Sequence, residues 1–199
     1  MYSFRTCMVR EAKRPLIQQL LGFCSQTPPA VPAIIRVGES LPQCELYEDF
    51  PTNSINMPDF IKGKNVILFG VPGAFSPSCS KTHLPEYVQA ADTMRNNGID
   101  EIICVSVNDV YVMSAWADKH NTKRKVRLLA DPTGNFTYTL GLGMNLPWLG
   151  GFRARRFSMV LVDNVVKEIH VEPDGFGLSC SLAHVLGYKK YVQNKTKLT

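Results

Sequence analysis

The sequence predicts an α/β domain with a mixed sheet flanked by helices, and three observations lead there. Apolar segments of strand length alternate with helical patterns in the order strand, helix, strand, helix, strand, which implies parallel crossovers. Two later strand segments meet at Asp163-Asn164, a two-residue connection that implies an antiparallel hairpin. A chain of 199 residues, 45% hydrophobic and 20% charged, is long enough for one well-buried core and too short for two.

Taken in order, Asn65 to Phe69 is the first strand and Cys79 to Asn96 the helix after it, with Asn97-Gly98 as the stop signal. Glu101 to Val107 is the next strand. The following helix, Asp109 to His120, has Asp109 as its N-cap. Arg127 to Leu129 is a short strand and Gly134 to Leu140 a short helix. Phe157 to Val162 and Val165 to Val171 form the hairpin. These strands are rich in Val, Ile, Leu and Phe and are bounded by Gly, Pro, Asn or Asp. Parallel and antiparallel pairs together make the sheet mixed. Cys44 lies in a polar-apolar strand near the start of the domain, Cys104 in a buried strand, and neither has an obvious partner.

Charge and cysteine usage narrow the function. Of the net charge of +5, residues 1 to 27 hold +3, from Arg5, Arg10, Lys13 and Arg14 against Glu11; 18 basic and 16 acidic residues remain in the rest. Residues 1 to 31 thus read as an acid-poor, amphipathic mitochondrial targeting segment, although an ordinary tail has the same composition. The body clusters Lys123-Arg124-Lys125 and Arg153-Ala154-Arg155-Arg156 lack the aromatic interleaving of RNA binders, so no nucleic-acid partner is expected. The cysteines at 7, 24, 44, 79, 104 and 180 include no CxxC pair and no zinc spacing, which excludes a disulfide scaffold and any expected metal. No apolar run approaches the roughly 18 residues of a membrane span, and an intracellular protein with mostly reduced thiols is expected. Asn135-Phe136-Thr137 and Asn194-Lys195-Thr196 match the glycosylation pattern by chance. Gly141-Leu142-Gly143 lacks the third glycine of a dinucleotide fingerprint.

The stretch GVPGAFSPSCSKTHLP, residues 70 to 85, carries the chemistry. Ser76 suits an N-cap and Pro77 the first helical position, which places Cys79 three residues after the cap. Unpaired backbone N–H groups and the positive end of the helix dipole favour an anion there, so a thiol gains thiolate character. A cysteine after a strand is also often a small buried apolar residue. Rigid turn residues and hydroxyls around it, in place of apolar packing partners, favour a nucleophile. His83, one turn later on the same face, raises a Cys–His hydrolase or acyl-transfer pair as a rival. Side chains on adjacent turns of one helix point outward side by side, however, so His83 reads better as a structural or supporting hydrogen-bonder. Pro85 is expected to kink this helix.

GVPGAFSPSCSKTHLPEYV resembles the active-site segment of peroxiredoxins, in the type-5, atypical two-cysteine branch. VSVNDVYVMSAW, ADPTGNF and RRFSMVLVDNVVKEIHVEPDGFGLSCS resemble that branch in order and spacing. The likeness spans roughly Ile35 to Leu186 and rests most on P-x-x-x-[ST]-x-x-C, here Pro72 through Ser76 to Cys79. It implies a thioredoxin fold with peroxiredoxin additions over residues 32 to 190, followed by a basic tail, 191 to 199.

The resemblance also implies roles. Cys79 would be the peroxidatic cysteine and Cys180 the resolving one, joined in an intramolecular disulfide that thioredoxin reduces. The substrates implied are hydrogen peroxide, organic hydroperoxides and peroxynitrite. Ser76, where Thr is usual, would bond the thiolate and hold the peroxide, and Arg156 would aim its guanidinium at sulfur and peroxide. Pro72 and Pro77 would shield the sulfur, and the N–H groups of Ser78 and Cys79 would stabilise charge on the departing oxygen. Trp148 is expected to be exposed on a loop near the site. No organic cofactor is needed, since sulfur supplies the redox chemistry, and the form implied is a monomer or non-covalent homodimer. The location is the mitochondrion, with the cytoplasm second; the terminal Lys-Leu-Thr is not the peroxisomal signal. Pro173, Gly175 and Gly177 should loosen the chain at Cys180 before a terminal helix. Disulfide formation, which needs Cα atoms within about 7 Å, should then require local unfolding. The alternatives are a one-cysteine peroxidase with Cys180 free, the Cys79/His83 hydrolase, and a non-catalytic thioredoxin-like binding module.

Overall fold

The structure, a computed structural model, describes residues 32–191. The targeting segment, Cys7, Cys24, the Asn194 acceptor pattern and nearly all of the basic tail lie outside the described residues.

Seven strands form the main sheet: β1 (Glu45–Tyr47), β2 (Ser54–Asn56), β3 (Asn65–Gly70), β4 (Glu101–Ser106), β5 (Arg127–Ala130), β8 (Phe157–Val162) and β9 (Val165–Val171). Their order is β2-β1-β5-β4-β3-β8-β9. β3, β4 and β5 are parallel, and the pairs β1–β2, β1–β5, β3–β8 and β8–β9 are antiparallel. The helices are α1 (Met57–Ile61), α2 (Leu84–Asn96), α3 (Val110–His120) and α4 (Asn135–Thr139). Strands β6 (Gly143–Leu146) and β7 (Gly151–Ala154) pair as a separate hairpin.

Both faces of the central strands are covered, so their residues alternate between two cores. Ile67 and Phe69 of β3 face one core with Ile102 and Cys104 of β4, and Val66 and Leu68 face the other with Ile103 and Val105. Each such fully buried side chain contributes roughly 1.5–3 kcal/mol. This alternation inside continuously apolar strands is why the central elements are so well marked in the sequence. At the hairpin, Asp163 and Asn164 adopt φ of 48° and 65°, the left-handed pair that a two-residue type I′ turn requires. Asp109 caps α3 as expected, accepting from the Val112 N–H at 3.0 Å.

The structure differs from expectation at the margins. β2, α1 and the β6–β7 hairpin are not expected from the sequence as elements, and β1 only as a strand about Cys44. Strands of three residues are too short to display a period, and Pro147, Gly150 and Gly151 interrupt the hairpin region. Cys44 precedes β1 rather than lying in it. The terminal helix is a correction: after Cys180 the described residues make turns and one 3₁₀ turn, Tyr188–Lys190. Gly187, which opens that turn, is a poor helix residue at the position where a helix would have to extend.

Candidate active site

β3 delivers the chain to the site at its C-terminal end. Past Gly70 the backbone is still fastened to β4 by Val71 N–H to Val105 O, 3.1 Å, and the Ala74 N–H is held by the Asn108 side chain at 3.0 Å. Pro72 is buried beneath this turn. Phe75 turns the chain at a left-handed φ of 61°, an uncommon conformation for a bulky residue. Ser76 then opens the helix with its carbonyl, which accepts the Ser80 N–H at 2.9 Å. Its hydroxyl donates to Gly73 O at 2.9 Å, so its proton is spent on closing the turn.

The helix does not begin as a regular α-helix. Cys79–His83 form a π turn, in which the Leu84 N–H reaches back five residues to Cys79 O. Pro85 supplies a reason: it has no N–H, and its ring would clash with the carbonyl four residues earlier, so the chain widens there. The turn is pinned from α3, where the Trp116 indole N–H donates to the Ser80 hydroxyl at 3.0 Å.

Widening rotates both Cys79 and His83 inward, and each is fully buried. This corrects the expectation that the two side chains would point outward. Between them lies Arg156, 2% exposed, at the start of β8. Its Nη1 donates to Cys79 Sγ at 3.4 Å and to His83 Nδ1 at 3.1 Å, and its Nε donates to Phe176 O at 3.2 Å. None of these acceptors is a carboxylate. A buried guanidinium needs a counter-charge, and the sulfur is the acceptor here that can become an anion.

The histidine tautomer follows from its partners. Arginine only donates, so Nδ1 carries the lone pair, and the Nε2–H donates to Ser181 O at 3.0 Å. Burial foremost, and then the Arg156 charge, push the His83 pKa down from 6.5 to about 3. A ring with its lone pair already occupied and its protonation disfavoured is no base for Cys79, so the dyad loses its basis. The ring is further fixed by Phe69 and Tyr87, edge-on at centroid distances of 5.1 and 5.5 Å.

The other expected residues are placed as follows. Cys180 is partly exposed, and burial and the Glu172 charge raise its pKa. Arg153 donates to Val107 O, whereas Arg156 donates to the sulfur. Trp148 is 72% exposed. Cys104 is wholly buried, and burial raises its pKa well above the ordinary value. A cavity of about 660 Å³ beside Cys44, Tyr47 and Tyr111 does not include Cys79; a peroxide is small, and cavity size is a poor guide to its site. Two residues escaped the sequence reading. Tyr87, whose hydroxyl donates to Ser181 O at 2.8 Å, sits one helical turn after His83, and Glu172 is an acid at the end of an apolar strand. Their spacing carried that hint and nothing more specific.

Fold and site together define a thiol enzyme on a thioredoxin-like scaffold. The redoxin family model matches residues 36–179. Peroxiredoxin-2D of Arabidopsis thaliana is 40% identical over 147 residues, 72% of this chain and 91% of that protein. Among solved structures, reduced Prx3 of Vibrio vulnificus in complex with H2O2 is similar at a TM-score of 0.73 and 37% identity, covering 76% of this chain and 96% of that one. Peroxiredoxin 5 of Alvinella pompejana is similar at a TM-score of 0.66 and 39% identity, covering 73% and 95%. The chain belongs to the peroxiredoxin family and is a peroxidase.

Proposed function

We propose that the protein reduces hydrogen peroxide and organic hydroperoxides through Cys79, with Cys180 as the resolving cysteine and a thioredoxin-type dithiol as the electron source. The observation that carries this is the buried Arg156 guanidinium set on Cys79 Sγ at 3.4 Å, its other bonds going to Phe176 O and His83 Nδ1. The thiolate attacks one peroxide oxygen. An S–O bond forms, the O–O bond breaks, and the departing oxygen takes a proton to leave as water or alcohol. Arg156 steadies the charge as it passes from sulfur to oxygen, aided by the N–H groups of Ser78 and Cys79. Pro72 and Pro77 screen the sulfur from water. Ser76 holds the peroxide through the lone pairs of its hydroxyl, the proton being given to Gly73 O.

Cys180 then displaces the sulfenic oxygen to give the Cys79–Cys180 disulfide, as the type-5 resemblance implies. Relatives named peroxiredoxin 5 and Prx3 support a peroxide-reducing role of this kind. In this proposal residues 1 to 31 are a mitochondrial targeting segment, 32 to 190 the catalytic domain, which acts as a monomer or non-covalent homodimer, and 191 to 199 a basic tail. Among the described residues no helix is long and apolar enough to cross a membrane. The test is thioredoxin-coupled peroxide consumption by the wild type beside Cys79→Ser and Cys180→Ser. The first variant should be inactive, and the second should lose thioredoxin-dependent turnover but keep one stoichiometric reaction with peroxide. Rapid turnover by Cys79→Ser would overturn the proposal. A reporter carrying residues 1 to 31 should enter mitochondria.

A further inference from the structure

The segment that carries Cys180 is built around one carboxylate. Glu172, 1% exposed, takes five hydrogen bonds from three consecutive residues. Its Oε1 accepts from the backbone N–H groups of Ser179 (2.8 Å), Cys180 (2.9 Å) and Ser181 (3.0 Å) and from the Ser181 hydroxyl (2.7 Å). Its Oε2 accepts from the Ser179 hydroxyl at 2.6 Å. The backbone of Cys180 is therefore held at its own N–H and at both neighbours. Hydrogen bonds to an ionised carboxylate are roughly twice as strong as neutral ones. Burial alone would raise the Glu172 pKa, but the bonds from Ser179, Ser181 and Cys180 outweigh it and hold it at about 2, so the group is charged at neutral pH.

The same segment reaches the nucleophile. Glu172 N–H donates to Arg156 O at 3.0 Å, and Arg156 N–H to Gly175 O at 2.6 Å. The Ser181 carbonyl, just past the clamp, accepts from both His83 Nε2 (3.0 Å) and the Tyr87 hydroxyl (2.8 Å). His83 in turn holds the Arg156 guanidinium that touches Cys79. One hydrogen-bond network thus joins the Cys180 loop to the Cys79 pocket, and Glu172 is its anchor.

We propose that Glu172 is a positioning residue that latches the Cys180 loop: its carboxylate holds residues 179–181 closed while Cys79 meets peroxide, and must release them before Cys180 reaches the oxidised sulfur. The inference rests on the assignment of Cys180 as the resolving cysteine. In that step the Cys180 thiol loses its proton and its sulfur attacks the sulfur of the Cys79 sulfenic acid. An S–S bond forms, the S–O bond breaks, and the leaving hydroxide takes the proton to depart as water, with no outside oxidant. While the latch is closed, burial and the Glu172 charge both keep the Cys180 thiol protonated. Opening relieves both, so the nucleophile is released and activated in one movement. Closing restores the Ser181–His83–Arg156 chain for the next peroxide.

The latch predicts changes of opposite sign in the two chemical steps. In stopped-flow measurements on the full chain, hydrogen peroxide starts the reaction, tryptophan fluorescence follows both phases, and acid-quenched samples are mapped by non-reducing mass spectrometry for the Cys79–Cys180 disulfide. Glu172→Gln replaces charge-assisted bonds by neutral ones and should speed disulfide formation about tenfold while slowing the peroxide step severalfold. A residue that merely supports the fold would not drive the two rate constants in opposite directions. Ser179→Ala removes one hydroxyl bond from the exposed side of the latch and should speed disulfide formation about two- to threefold; it serves equally if Glu172→Gln fails to fold. A wild-type disulfide whose rate of formation neither variant increases would overturn the latch and leave the resolving assignment standing. Absence of the disulfide in the wild type would overturn both.

Discussion

Cys79 and Cys180 are held by different physics. Cys79 is fully buried in a turn fixed by its own neighbourhood: Pro72, the left-handed Phe75, the Ser76–Gly73 bond, Pro77 and the π turn before Pro85. Cys180 is partly exposed in a stretch without helix or strand, and its backbone depends on a carboxylate eight residues earlier in the chain. The first arrangement keeps a sulfur in one place, in contact with one cation. The second makes a loop whose release turns on a single anchor. The former suits the fixed nucleophile proposed for Cys79, and the latter suits the moving partner proposed for Cys180.

The comparison breaks most readily at Arg156. Arg156→Ala should lower the second-order rate constant for peroxide by on the order of 10²–10³-fold, measured by stopped-flow fluorescence, because it removes the cation from the reacting atoms. Arg153→Ala, which loses a bond to Val107 O and none to the sulfur, should change it by less than about threefold. Equal losses would mean that the wrong guanidinium has been assigned. Next in size is His83→Asn, which removes the ring from between Ser181 O and Arg156 Nη1. A lost hydrogen bond to a charged group predicts about a tenfold slower peroxide reaction. Complete loss of activity would instead revive a direct chemical role for the ring.

A subtler outcome concerns acid. The folded-state pKa of His83 lies near 3 against 6.5 unfolded, so between those values the unfolded chain binds more protons than the native one. The stability contributed by the neutral ring is fully present above pH 6.5 and is lost as pH falls toward 3, at up to about 1.4 kcal/mol per pH unit. Glu172, held near 2 against 4.5, adds a loss of the same sign only below pH 4.5. Between pH 6.5 and 4.5 the loss comes from the histidines, since burial also lowers the His120 pKa and adds a loss of the same sign; the urea-midpoint slope of the wild type should become shallower in His83→Asn and persist in Glu172→Gln.

The two regions also differ in how much of them the sequence displays. Around Cys79 the determinants are local. Ser76-Pro77 marks the helix start, Pro85 marks a disturbance, and the alternation in β3 and β4 fixes where the turn emerges. Even there the sequence reading put His83 on an outward face, because the regular helix it assumed has no π turn. Around Cys180 the determinants are distant in sequence. Nothing in Glu-Pro-Asp-Gly announces that the Glu172 side chain returns to three consecutive residues at 179–181, and the glycines and proline there do not display the bonds that hold the segment. Arg156 lies between these cases. Its place at a strand start was legible, but composition alone could not separate it from Arg153 and Arg155; the family resemblance did, and the bond to Cys79 Sγ agrees. The edge strand β2 remained hidden because three residues display no period.

The central claim, that Cys79 is the sulfur oxidised by peroxide, has a direct measurement. The Cys180→Ser variant, treated with one equivalent of hydrogen peroxide in the presence of dimedone, is digested and mapped for the sulfenic-acid adduct. The account predicts the adduct on Cys79, with Cys44 and Cys104 unlabelled, and its loss when Arg156→Ala slows the reaction below the time of the assay. An adduct mainly on Cys44 or Cys104, or none on Cys79 while peroxide is consumed, would contradict it.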